Sequence, residues 1–271
     1  MRNQPSLKRL IPITGLRHLY LLLRDFPKED FQLEVARELC RKPKQLAELI
    51  TKSRKHFELY DNKGEGFHDR GNDGRLTADR LGSKKLADRF LKQLAAKSVN
   101  IASAHQYYKF VYVDYDISPY RTTGSQFENG ASGESSGTGG MDILLSNEKD
   151  QTPIVGETKA DTDVNPFFGL IQSLMYAVEL STPSQRLRLS QSYNGRFAES
   201  SPDQGIDIYL FLLRYAQDEK SQEFLSLTNQ LSAKLLEIKT ISTIVRRIVA
   251  LESPMERDIL NGFTVTFAHG G

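Results

Sequence analysis

The chain has 271 residues, 39% of them hydrophobic, and a formal net charge of +2, enough apolar material for a proper core in one large domain or two modest ones. A single cysteine, Cys40, excludes an internal disulfide and any cysteine-rich zinc or iron–sulfur site. No apolar run approaches the roughly eighteen residues of a membrane span, and residues 1–15 (MRNQPSLKRLIPITG) lack the apolar stretch and cleavage site of a signal peptide, so no membrane association and a cytoplasmic location are expected.

The small net charge hides an asymmetry. Residues 1–110 hold 23 lysines and arginines against 13 acidic residues, a net of +10 that leaves −8 for residues 111–271. A basic front and an acidic back suit phosphate attraction in one half and metal ligation in the other. The alternative is that the cations sit on ordinary solvated helix faces.

Leucines at helical spacing predict helices over 13–26, 31–40 and 44–60. The third shows Lys52, Arg54, Lys55 and His56 in a cluster, which suits either the reading helix of a helix-turn-helix or a scaffold helix with a basic solvent face. Residues 61–75 (DNKGEGFHDRGNDGR) are turn-rich. They fail as a calcium loop because Lys63 and Asn72 stand where ligands are required. Residues 77–98 predict a long amphipathic helix with Leu81, Leu86, Phe90, Leu91 and Leu94 on one stripe and Lys84, Lys85, Arg89, Lys92 and Lys97 mainly off it.

Residues 107–117 (YYKFVYVDYDI) alternate aromatic and β-branched side chains and predict a strand. The following glycine- and serine-rich stretch, 118–140, cannot bury a core and suits a substrate gate, with Glu128 and Glu134 as candidate ligands. Its Gly133-Glu134-Ser135-Ser136-Gly137 lacks the strand and helix that a hydrolase elbow needs.

Residues 141–145 (MDILL) and 153–160 (PIVGETKA) predict two buried strands joined by a polar turn at 146–151. Alternation puts Glu157 and Lys159 on one face and Thr158 on the other. Pairing of Asp142 with Glu157 would bring two carboxylates and one ammonium together, a costly group to bury without a cation. Hard carboxylate oxygens with room for water suit Mg²⁺. Residues 166–180 follow as a helix that is apolar nearly all round, with Gln172 and Tyr176 one turn apart on one face.

These residues resemble the PD-(D/E)XK nuclease superfamily, whose signature is an aspartate on one strand and Glu-x-Lys on the next. The order Gly139-x-x-Asp142, Glu157-x-Lys159, Gln172-x-x-x-Tyr176 is similar to its RecB-like branch, although the single cysteine excludes the members with a four-cysteine cluster. The resemblance covers about forty residues. It implies a restriction-endonuclease-like α/β fold, a mixed sheet flanked by helices, and hydrolysis of DNA with Mg²⁺, or Mn²⁺ in its place. It also implies metal ligation by Asp142, Glu157 and the Thr158 carbonyl, water positioning by Lys159, and support from Gln172 and Tyr176. The first core helix often supplies a further glutamate in that superfamily. Here its later turns contain only Asp88 as a carboxylate.

Residues 181–205 read as polar turns, 206–215 as a buried strand and 221–236 as a helix, while 241–251 fit a helix or a strand and 262–269 an edge strand. The expected organisation is a basic helical extension over 1–75 and a nuclease-like domain over 76–271, with DNA as partner and a second subunit left open. Two other functions fit the same residues: a catalytically silent nucleic-acid-binding module and a nuclease acting on RNA.

Overall fold

The aromatic and β-branched alternation after residue 106 becomes a thirteen-residue strand around which one half of the sheet is laid out. The structure is a computed structural model and describes residues 13–60, 67–69, 83–102, 107–119, 141–160, 165–197 and 203–271. In chain order the described elements begin with helices α1 (Leu16–Asp25), α2 (Glu29–Arg41) and α3 (Pro43–Tyr60). Next come β1 (Phe67–Asp69), α4 (Ser83–Ala96), β2 (Val99–Ala102), β3 (Tyr107–Pro119), β4 (Met141–Asn147) and β5 (Pro153–Ala160). The remainder is α5 (Pro166–Leu180), α6 (Pro183–Ser192), β6 (Ile206–Leu213), α7 (Glu219–Leu236), α8 (Lys239–Ser242), β7 (Val245–Ser253), a short 3-10 turn (Ile259–Gly262) and β8 (Thr264–Gly270).

The strands form one mixed sheet in the order β1-β3-β4-β5-β6-β7-β8, with β2 also paired to β3. β3, β4 and β5 are successive antiparallel neighbours, β5 and β6 are parallel through α5, β6 and β7 are parallel, and β8 returns antiparallel. A parallel neighbour requires a crossover, and α5 supplies it. The β4–β5 turn is closed by Asn147, whose side-chain oxygen accepts from the backbone N–H of Lys149 at 2.9 Å and of Asp150 at 3.4 Å.

Both faces of the sheet are covered. On one, Leu144, Val155, Ile208, Leu210 and Leu212 pack with α1, α2, α3, α5 and α7; on the other, Ile143, Leu145, Ile154, Tyr209 and Phe211 pack with α4. α5 is the centre of the first layer. Leu170, Ile171, Leu174 and Met175 are each no more than 1% exposed, and each such burial contributes about 1.5–3 kcal/mol. Three elements hold it in place: α1, α3 and α7 all pack against it. The expected domain boundary near residue 75 lies outside the described residues, and α1–α3 share one hydrophobic cluster with α5 and the sheet.

Two readings of the sequence change. Residues 181–205 were expected as turns, yet α6 occupies Pro183–Ser192, started by Pro183 in its first turn, where the missing N–H is no loss. Its Gln185, Arg186 and Arg188 are buried beside Leu189, so its apolar spacing is too sparse to read as a helix. The ambiguous stretch 241–251 divides into α8 and β7, because β7 is hydrogen-bonded on both sides, to β6 and to β8. Tertiary pairing overrides local propensity there.

Candidate active site

The strand register from Ser146–Pro153 to Ile143–Gly156, continued by one step, sets Asp142 opposite Glu157. A side chain closes the pairing there: the Thr158 N–H donates to Asp142 Oδ2 at 2.9 Å. Asp142 is half-buried, Glu157 is buried and Thr158 is half-buried. Val155, Glu157 and Lys159 follow one another at every second position and so project to one face, the face on which Val155 packs with α5.

Lys159 Nζ donates to Glu157 Oε1 at 3.1 Å, with both side chains only 4% exposed. Taking two charges out of water costs several kcal/mol per ion, and the pair's attraction offsets that only with good geometry and further hydrogen bonds. A pair of this kind is a weak device for stability. The ammonium also lies 5.4 Å from the centroid of the Phe168 ring, within cation–π range. Phe168 in turn stacks on Tyr20 of α1, with centroids 5.4 Å apart and planes 10° from parallel. The first helix therefore reaches the candidate site through two rings.

Gly169 explains why α5 can lie so close. A β-carbon at this position would stand 2.9 Å from Lys159 Cε and 3.2 Å from Glu157 Cγ, so any side chain would press on the ion pair. The start of the same helix is fixed by Asn165, whose side-chain oxygen caps the Phe168 N–H at 2.9 Å. Its amide donates to Gln32 Oε1, and Gln32 donates to the Leu23 carbonyl at 2.8 Å. A cap of this kind contributes about 1 kcal/mol. Here it also ties the helix over the site to α1 and α2.

The hairpin thus brings Asp142, Glu157, Thr158 and Lys159 together. Gln172 and Tyr176 are buried on α5, three and seven residues beyond Gly169. At 1.5 Å per residue, Gln172 is about 4.5 Å and Tyr176 about 10.5 Å along the helix from the glycine, so Gln172 is the nearer of the two to the ion pair. Asp88 belongs to α4, whose apolar residues pack on the opposite face of the sheet; the structure does not join it to the group. Gly139, Glu128 and Glu134 lie outside the described residues.

Sequence reasoning missed Gly169, Phe168, Tyr20 and Asn165. An isolated glycine inside an apolar helix is a signal of close packing, and Asn-Pro before that helix is a start signal. Nothing local announces Tyr20, which meets Phe168 across 148 positions of chain.

Among the described residues no three His, Cys, Asp or Glu side chains stand together as a metal site. The donors at the hairpin are two carboxylates and backbone oxygen. That set fits Mg²⁺, which is bound by one or two carboxylates and keeps water for its remaining positions. It does not fit zinc, which favours nitrogen and sulfur ligands. No described helix is long and apolar enough to cross a membrane. Compared with protein-family models, with curated proteins and with solved structures, the chain matches none.

Proposed function

We propose that this protein is a metal-dependent nuclease that hydrolyses phosphodiester bonds of DNA, acting at the β4–β5 hairpin. The observation that carries the reading is the buried Glu157–Lys159 pair lying beside Asp142 under a glycine of α5. The element order α4-β2-β3-β4-β5-α5-α6-β6, with its antiparallel hairpin followed by a parallel crossover, supports a restriction-endonuclease-like fold for that pair.

Asp142 and Glu157 would hold Mg²⁺, or Mn²⁺, with the Thr158 carbonyl as a further oxygen donor. The bound ion supplies water activation and neutralisation of phosphate charge. Lys159 orients the attacking water by hydrogen bonding and offsets the negative charge that builds on the phosphate oxygens as the new P–O bond forms. Phe168 and Glu157 restrict the ammonium to one position, so little reorganisation is required when that charge appears. Gln172, one turn from Gly169, supports this arrangement from the helix side, and Tyr176 anchors the same stripe.

The test is incubation with single-stranded, nicked, branched and linear duplex DNA, with Mg²⁺ and with EDTA, using wild type and Glu157→Gln. Cleavage by wild type alone, abolished by EDTA, is the expected result. Equal cleavage by Glu157→Gln overturns the assignment. Gly169→Ala gives a finer check. Removing a helical glycine favours the helix by up to about 1 kcal/mol, which offsets much of the cost of displacing Lys159. Melting close to wild type with clearly slower cleavage is expected. A variant that cuts at the wild-type rate would show that the position of Lys159 does not matter.

A further inference from the structure

A second group of charges lies on the other face of the sheet, beside the chain that leaves β7. Arg89 and Lys92 of α4, Lys97 just beyond its end and Arg257 of the segment after β7 line a cleft of about 510 Å³. The carboxylate on this lining, Asp258, accepts from Asn261 Nδ2 at 2.7 Å. Among the described residues, Lys92, Lys97 and Arg257 form no ion pair. Four cations around one cleft repel one another, and an anion relieves that repulsion.

The walls of the cleft are fixed. Arg89 Nη1 donates to the Glu256 carbonyl at 2.6 Å, the Gln93 amide donates to the Arg257 carbonyl, and the Leu260 N–H donates to Gln93 Oε1 at 3.4 Å. Beneath them Phe90 packs on Phe211 and Phe263, with centroids 4.9 and 5.5 Å away. Lys92 therefore belongs to a braced helix and Arg257 to a braced turn.

Strand register relates the cleft to the hairpin. Lys159 pairs with Leu212 of β6, and Leu212 with Glu252 of β7, so the chain leaving β7 emerges at the end where Lys159 lies. Two strand spacings separate β5 from β7, about 10 Å. Arg214 stands between them at the end of β6, with its guanidinium paired to Glu256. By contrast, the groove lined by Lys44, Lys52 and Lys55 of α3 also includes Ile238 and Thr240, which precede β7 and so belong to the opposite end of the sheet.

We propose that the α4 cleft is a phosphate-binding subsite for a single nucleic-acid strand, which passes from the hairpin around the end of the sheet by way of Arg214. This inference rests on the hairpin being where that strand is cut. A single strand is favoured because the path turns from one face of the sheet to the other within a few nucleotides. Duplex DNA, with a persistence length of about 50 nm, resists such a turn.

The test is binding of a fluorescent 20-nucleotide single strand and of a blunt 20-base-pair duplex, each across a series of salt concentrations without divalent ions. The proteins are wild type, the triple variant Lys92→Ala/Lys97→Ala/Arg257→Ala, and the control triple Lys44→Ala/Lys52→Ala/Lys55→Ala. For the single strand, the first triple variant should lower the slope of log K against log salt by roughly 2 and weaken binding on the order of a hundredfold at 0.1 M salt. The control triple should keep the wild-type slope. An unchanged slope in the first variant, a loss confined to the control, an equal loss for the duplex, or no measurable affinity of wild type for the strand overturns the proposal. Cleavage with Mg²⁺ is scored separately: a lost slope in a protein that cuts nothing would retain the subsite and remove the nuclease reading.

Discussion

Lys159→Met is expected to lower the single-turnover cleavage rate by a hundredfold or more while leaving the melting transition close to that of wild type. Methionine keeps much of the aliphatic stem that lies against Gly169 and removes the ammonium. Losing a positioned hydrogen-bond donor or charge stabiliser costs about 10²–10³ in rate. The competing expectation is structural. Glu157 is 3% exposed and its Oε1 accepts from Lys159 at 3.1 Å, so a purely structural pair would leave a buried carboxylate without this cation and destabilise the fold by about 3–5 kcal/mol. Bound metal reduces that penalty by supplying positive charge at the carboxylates. Melting should therefore be measured with and without Mg²⁺ on the preparation used for kinetics. A collapsed melt under both conditions would remove Lys159 from the catalytic assignment.

The largest stability effect is expected beside the turn end of the hairpin, at Asp207, which pairs with Ile154 of β5. The register of β6 and β7 shifts between Ile206–Val245 and Asp207–Arg247, which leaves Arg246 as the extra residue of a bulge. Bulges re-aim side chains, and this one directs the guanidinium onto Asp207 with two bonds, Nε to Oδ1 and Nη2 to Oδ2, both 2.7 Å. The third contact goes to Asp150 in the turn between β4 and β5. A single side chain thus ties the base of the candidate hairpin to the parallel strands. Asp207 is fully buried. Asp207→Ala would strip Arg246 of its two-bond partner and is expected to lower the unfolding free energy by about 3–5 kcal/mol. Adding Arg246→Ala should recover part of the loss, because the uncompensated cation is then gone. A single variant as stable as wild type would show that Asp150 alone suffices for Arg246.

The hairpin residues were legible for a physical reason. A strand alternates at every second position whatever surrounds it, so Glu157-x-Lys159 must share a face, and a short turn between two apolar runs forces Asp142 near Glu157. The same logic makes α5 legible, since a helix apolar nearly all round has to be buried. At α6 the rule fails. Its buried polar residues, Gln185, Arg186 and Arg188, break the apolar period from which a helix is read. The stretch that becomes α8 and β7 carries β-branched residues at helical spacing, so periodicity and propensity disagree until neighbouring strands decide.

By itself, then, the sequence determined the local chemistry: carboxylates and a lysine on one hairpin, a buried helix after it, and an excess of cations in the first 110 residues. Tertiary structure decided what those groups meet. Lys159 is bracketed by Glu157 and Phe168, Phe168 rests on Tyr20, and Asn165 reaches Gln32, so α1 and α2 are parts of the site's support. The basic residues also separate only in three dimensions, with Arg89 and Lys92 of α4 beside the chain that leaves β7 and the α3 lysines beside the chain that enters it. Contacts of this kind depend on strand register, on the crossover through α5 and on which face each helix covers. None of these is encoded in a short window, because each is set by burial of the whole apolar surface at once.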